Sequence, residues 1–177
     1  MRRLLVGSVA LGVSRHAACS VLAVRRPFQP IRSVLVATDG SSPAHAAVQA
    51  LLTLPLAPRP RAHVVLVLPR PEELVGGHPE LHARLQALRA DAWRRQHEAA
   101  ESVCTELSNR LAQAEILSSW EVTEGDATEK ILGAATMRSA DLIVVGSRGR
   151  SALVSILLGS VSHAVLIGAN CSVLIGR

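Results

Sequence analysis

The sequence predicts an α/β protein built on a parallel sheet with helices on both faces. Three observations carry this. Short, unbroken apolar runs recur at residues 33–38 (SVLVAT), 63–68 (HVVLVL) and 140–146 (ADLIVVG). They are too short for buried helices and lack polar alternation, as strands covered on both faces do. Between them lie stretches whose apolar residues recur at helical spacing. The third run opens into a glycine-containing loop followed by another helix, so strand and helix alternate to the end of the chain.

Each element has its own signal. After the first strand, DGSSPAHAAVQALL (39–52) starts a helix with Ser41 or Ser42 as cap and Pro43 in the first turn, ending near Pro55. The second strand stops at Pro69 and Pro71. Leu81, Leu85, Leu88, Ala92, Ala99, Val103, Leu107 and Leu111 mark one face of a long helix over about 79–114. ILSSWEV (116–122) alternates, as a strand nearer the sheet edge does. Gly125-Asp126 leads into a helix over about 127–138. The chain closes with a helix over about 160–167 and a short strand over about 172–175. Parallel strands joined by helices imply right-handed crossovers, and ligands then bind at the carboxyl ends of the strands.

Composition narrows the function. The 177 residues suffice for one sizeable domain, and 49% apolar content supplies a core. The net charge is +5, and Lys130 is the sole lysine among the basic residues. A basic excess favours anionic partners. The chain has no run of five like charges, and its aromatics are Phe28, Trp93 and Trp120 alone, which argues against a nucleic-acid partner. No apolar stretch approaches the roughly 18 residues of a membrane span. Cys19, Cys104 and Cys171 lack metal-site spacing.

The amino-terminal stretch first reads as a secretory signal: Arg2 and Arg3, an apolar run over 4–13, and Ala17-Ala18-Cys19. Arg15 and His16 interrupt it, and a repeat overturns it. GSVALGVSRHAACSVLAVR (7–25) aligns without a gap to GSVSHAVLIGANCSVLIGR (159–177), identical at ten positions. Both copies read as a helix, a turn and a short strand. Residues 1–26 are therefore expected to be the last helix and strand of a preceding domain, 27–30 a linker, and 31–177 a complete domain.

The chemistry sits in GSRGRSALVSILLGSVS (146–162). Gly146, two residues, Gly149, nine residues and then Gly159-Ser160 put glycines between a strand end and a helix start. Glycines permit close backbone approach to an anion and positive φ. The helix start offers unpaired N–H groups and partial positive charge. The pattern is neither a Walker motif nor a dinucleotide fingerprint.

Residues 31–177 resemble a universal stress protein domain through VLVATDGS, GDATEKIL, ADLIVVGSRG, LLGSVSHAVL and the closing CSVLIG. The Gly-x-x-Gly, nine residues, Gly-Ser pattern resembles the family's ATP-binding branch. The resemblance implies an open five-stranded parallel sheet of order 3-2-1-4-5, adenine nucleotide alpha hydrolase-like and Rossmann-like. It implies ATP as ligand, with Mg2+, and places Ala37, Thr38 and Asp39 beside the nucleotide. Val67 stands at the adenine, and Gly146 and Ser147 beneath the ribose. Gly149, Gly159, Ser160 and Val161 fall at the phosphates, where Arg148 and Arg150 add charge without being fixed by the motif. It also implies a stress-response protein of the cytoplasm, a regulatory protein partner, and a homodimer or pseudo-dimer through the last strand, with the strand near 20–24 lying against that near 172–175. Two positions depart from the pattern: Leu66-Val67 replaces His-Val, and Cys171-Ser172-Val173 replaces Cys-Pro-Val.

Blander readings stand beside these. Asp39 also suits a turn before Gly40, and Ser160 a simple helix cap. His45, His63, His78, His82, His97 and His163 read as solvated surface, and Cys19 and Cys171 as buried structural thiols. The glycine motif comes with no Walker lysine, carboxylate pair or evident general base, so the expectation is nucleotide binding with little or no turnover and no catalytic residues. A slow ATPase or self-phosphorylating enzyme, and a nucleotide-independent interaction protein, are the competing readings.

Overall fold

The structure, a computed structural model, describes residues 7–25, 30–70, 79–149 and 158–177, with side chains from residue 84 onward in the third stretch. The proposed linker at 27–30 falls largely outside these residues, as do Arg150 and His78. Among the described residues the chain forms α1 (Ser8–His16), β1 (Val21–Ala23), β2 (Ile31–Thr38), α2 (Ser42–Leu52), β3 (Leu56–Leu68), α3 (Pro79–Gln113), β4 (Leu117–Glu124), α4 (Ala127–Met137), β5 (Leu142–Gly146), α5 (Ser160–Gly168) and β6 (Ser172–Gly176).

The strands make one sheet in the order β1-β6-β5-β2-β3-β4. The pairs β2–β3, β2–β5, β3–β4 and β5–β6 are parallel. The expected five-stranded sheet of order 3-2-1-4-5 is corrected: the sheet has six strands, and its order begins with β1, which runs antiparallel to β6. The cause is the repeated amino-terminal strand, which joins this sheet's edge and leaves β6 internal.

Alternating side chains feed two cores. Val34 and Val36 of β2 face α2 and α3, packing with Val48, Leu51, Leu107 and Leu111. Leu35 and Ala37 face the other way, towards Ile131 of α4 and Val165 and Leu166 of α5. α2 begins as its sequence demands: the Ser41 hydroxyl accepts the Ala44 N–H, with Pro43 in the first turn. Asp126 caps α4 by accepting the Glu129 N–H at 2.8 Å.

Two expectations shift. β3 starts seven residues earlier than the run 63–68, and its register against β2 slips between Ile31 and Ser33. That irregularity accommodates Pro58 and Pro60, whose missing N–H groups cannot join a regular ladder. Arg59 between them has φ of 53°. On α3 the buried residues are Ala100, Cys104, Leu107 and Leu111, whereas Leu85, Leu88, Ala92 and Ala99 are exposed. The helix outruns the sheet, and only its second half has a surface to cover.

Candidate functional site

The carboxyl ends of β2, β3 and β5 meet the start of α5 around a cleft of about 330 Å³. Its position follows from the order of the sheet: connections leave in opposite directions from the neighbouring strands β2 and β5, which opens a crevice between them. Ala37, Thr38, Asp39, Val67, Gly146, Arg148, Gly149, Gly159, Ser160 and Val161 all line it. Of the residues expected at the site, Ser147 alone does not. It lies buried beside the cleft, 1% exposed, where its N–H donates to the Gly176 carbonyl at 2.8 Å and its own carbonyl accepts the Gly159 N–H at 2.8 Å. Its hydroxyl has no protein partner.

The glycines act by proximity rather than by unusual backbone angles. Positive φ among the described glycines occurs at Gly40 (75°) and Gly125 (136°), not in the Gly146–Gly149 segment. A Cβ on Gly146 would stand 2.7 Å from the Ala44 nitrogen, inside the first turn of α2. A Cβ on Gly149 would stand 2.8 Å from Asp39 Oδ2. These two positions hold the loop down against α2 and against the end of β2. Ser41 adds a third tie, its hydroxyl donating to the Arg148 carbonyl at 3.2 Å.

Asp39 makes the turn of its blander reading and also stands in the cleft wall. Its Oδ1 accepts the Ser41 N–H at 3.0 Å, which shapes the turn through Gly40, and the residue also lines the cleft. Among the described residues, Asp39 and Arg148 are the two ionisable residues of that lining.

The helix facing them is left open. Gly159 is the N-cap of α5, no side chain caps it, and the first turn carries no acid. The leading N–H groups of a helix lack internal acceptors, so those of Ser160 and Val161 present donors and partial positive charge. Ser162 is bound instead to β5, its hydroxyl donating to the Gly146 carbonyl at 2.6 Å.

Val65, Ala127, Ile131, Val145 and Ser162 also line the cleft and were not expected there. Val65 was findable, standing two residues before Val67 on the same strand face. Ala127 and Ile131 come from the first turns of α4, one helical repeat apart. Together with Val67 and Val161 they add apolar surface to the charged and glycine residues of the lining. The arrangement suits a ligand with an apolar or aromatic body and an anionic tail.

Two side readings change. His63 is not solvated: it is 5% exposed, with Nδ1 2.9 Å from Ser119 Oγ and Nε2 3.0 Å from Glu121 Oε1. Burial lowers its pKa, partly opposed by Glu121. Cys171 is buried but Cys19, its repeat equivalent, is exposed. Burial pushes the Cys104 thiol up to about 11.

Among the described residues no helix is long and apolar enough to cross a membrane. The sequence matches the universal stress protein family over residues 30–177. The universal stress protein Sll1388 of Synechocystis is 27% identical over 147 residues, which cover 80% of this chain and 95% of that one. MJ0531 of Methanocaldococcus jannaschii is 44% identical over 55 residues. That match spans 31% of this chain and about a third of the relative's own length, 32%. The structure of UspA from Lactobacillus plantarum superposes with a TM-score of 0.68 at 19% identity, over 85% of this chain and 100% of that one. A universal stress protein from Archaeoglobus fulgidus superposes with a TM-score of 0.61 at 19% identity, over 99% of this chain and 57% of that one. A universal stress protein in complex with cAMP superposes with a TM-score of 0.58 at 20% identity, over 84% of this chain and 98% of that one. With a match to the family running from residue 30 to residue 177, the chain belongs to the universal stress protein family.

Proposed function

We propose that this chain is a nucleotide-dependent regulatory module of the stress response that binds ATP in the cleft and turns it over slowly or not at all. One observation carries the reading: the start of α5, with no side chain capping it, opens onto the cleft that Gly149 and Gly159 line. The triphosphate lies along that end. The apolar wall of Val65, Val67 and Ile131 receives the base, and the partnerless Ser147 hydroxyl stands ready for a ligand oxygen or a bridging water. Asp39, the one carboxylate of the lining among the described residues, is the residue suited to hold Mg2+ alongside the phosphates. The related protein bound to cAMP supports an adenine nucleotide as the ligand class. Among the described residues the lining of the cleft brings neither a lysine nor a second carboxylate to orient a water, which supports binding over turnover.

The test is to denature the purified protein and identify any nucleotide it releases, beside a Gly149→Val, Gly159→Val double variant. ATP near one per chain from the parent, and none from a variant that keeps its fold, is the expected result. A parent that carries no nucleotide and takes up none on addition of ATP and Mg2+ would refute the proposal.

A further inference from the structure

A second concavity lies at the opposite end of the strands from the glycine-lined cleft. It is a groove of about 1090 Å³ at the amino ends of β2 and β4 and along the first half of β3, where Met137 and Arg138 at the end of α4 also line it. The sheet register puts Ser33, Arg61 and Leu117 in one row across these three strands. The groove shares no lining residue with the cleft.

Its charge is one-sided. Arg32 of β2, Arg59 and Arg61 of β3, and Arg138 after α4 all line it, and all four are exposed. Among the described residues no carboxylate lies within ion-pair distance of any of them. Glu121 and Asp141 touch other groups of the lining, and both are engaged. Glu121 Oε1 stands 3.0 Å from His63 Nε2, and Asp141 Oδ2 accepts the Arg32 and Ser33 N–H groups at 3.0 Å each. A concave surface lined by one sign of charge focuses its field and draws in the opposite sign. Arg59 is also held in place. It has φ of 53° between Pro58 and Pro60, whose rings fix the chain on either side. A side chain carried on fixed backbone loses less freedom on binding than one on a loose loop.

Charge is not the whole of the surface. Leu117 is 67% and Met137 82% exposed in the same groove. A small inorganic anion gains nothing from covering them, whereas a polypeptide with acidic and apolar side chains gains from both kinds of contact. Guanidinium groups match carboxylates in bidentate geometry. We propose that this groove binds an acidic segment of a partner protein, whose carboxylates meet Arg32, Arg59, Arg61 and Arg138 and whose apolar side chains cover Leu117 and Met137. The proposal stands whether or not a nucleotide occupies the cleft.

Fluorescence anisotropy tests it on the full chain at about 0.15 M salt. The probe is a fluorescein-labelled glutamate-rich peptide carrying leucines, beside its glutamine counterpart and a leucine-free polyglutamate. The first is expected to bind and the other two to bind at least about tenfold more weakly. Arg61→Glu with Arg138→Glu places like charges against the peptide and is expected to weaken it at least about tenfold. Arg94→Glu with Arg95→Glu, on the exposed face of α3, is expected to leave it unchanged. No binding by the parent, equal binding of the glutamine peptide or of the leucine-free one, or equal loss in the α3 variant each overturns the proposal. Should the Arg61, Arg138 variant lose its fold, Arg59→Gly decides, since glycine suits the backbone there. It is expected to keep the fold and weaken the peptide about threefold, and unchanged binding overturns the proposal.

Discussion

Gly146 shows how little room the cleft floor has. Its absent Cβ is what lets the first turn of α2 rest on the end of β5, with the Ala44 nitrogen 2.7 Å from where that atom would stand. Backbone cannot yield as a flexible side chain does, so Gly146→Ala is expected to cost about 1–3 kcal/mol in denaturant unfolding. His63 carries a pH dependence. Unfolded, it takes up a proton near its ordinary value of 6.5; folded, burial holds its pKa lower. The unfolded state therefore binds more protons below that value, and stability drains away as pH falls from about 7 towards 5. The Tm advantage of the parent over His63→Gln is expected to narrow across that range, and a constant gap would contradict the assignment. Residues of the cleft were legible where a local pattern marks them: Gly146, Gly149, Gly159 and Ser160 lie in one strand–loop–helix passage. His63 was misread because Ser119 and Glu121, which enclose it, lie more than fifty residues on and meet it only through strand pairing.

At the scale of elements, caps were easier to read than buried faces. Ser41 and Asp126 announce α2 and α4 because a cap is a contact across three residues. The buried face of α3 was placed too early, since helical spacing continues past the sheet that gives it meaning. The carboxyl ends carry a different cost. α4 ends with Ser139 at φ of 48°, while the Ala140 N–H returns to the Ala135 carbonyl at 2.9 Å, a closure that usually employs glycine. Ser139→Gly is expected to raise stability by up to about 1 kcal/mol, read as a higher denaturation midpoint at unchanged slope. A lower midpoint would show that the serine makes a compensating contact.

The whole molecule was legible as a class and not as a count. Alternating strands and helices specified a parallel sheet covered on both sides, and the repeat at 7–25 specified another helix and strand. No local pattern specifies that this extra strand joins the same sheet; the family resemblance implied it, placing the strand near 20–24 against that near 172–175, as β1 lies against β6, while the strand count of five left it out. Cys19 is exposed and Cys171 buried although both stand in the Cys-Ser-Val-Leu shared by the two copies. The pairing of β1 with β6 also has a consequence in time. Leu22 and Leu174 are 152 positions apart, so β1 is synthesised well before its partner. At ribosomal rates the strand waits roughly 8–30 s for that partner to be made. Until β6 has left the ribosome, the pairing of β1 with it cannot form.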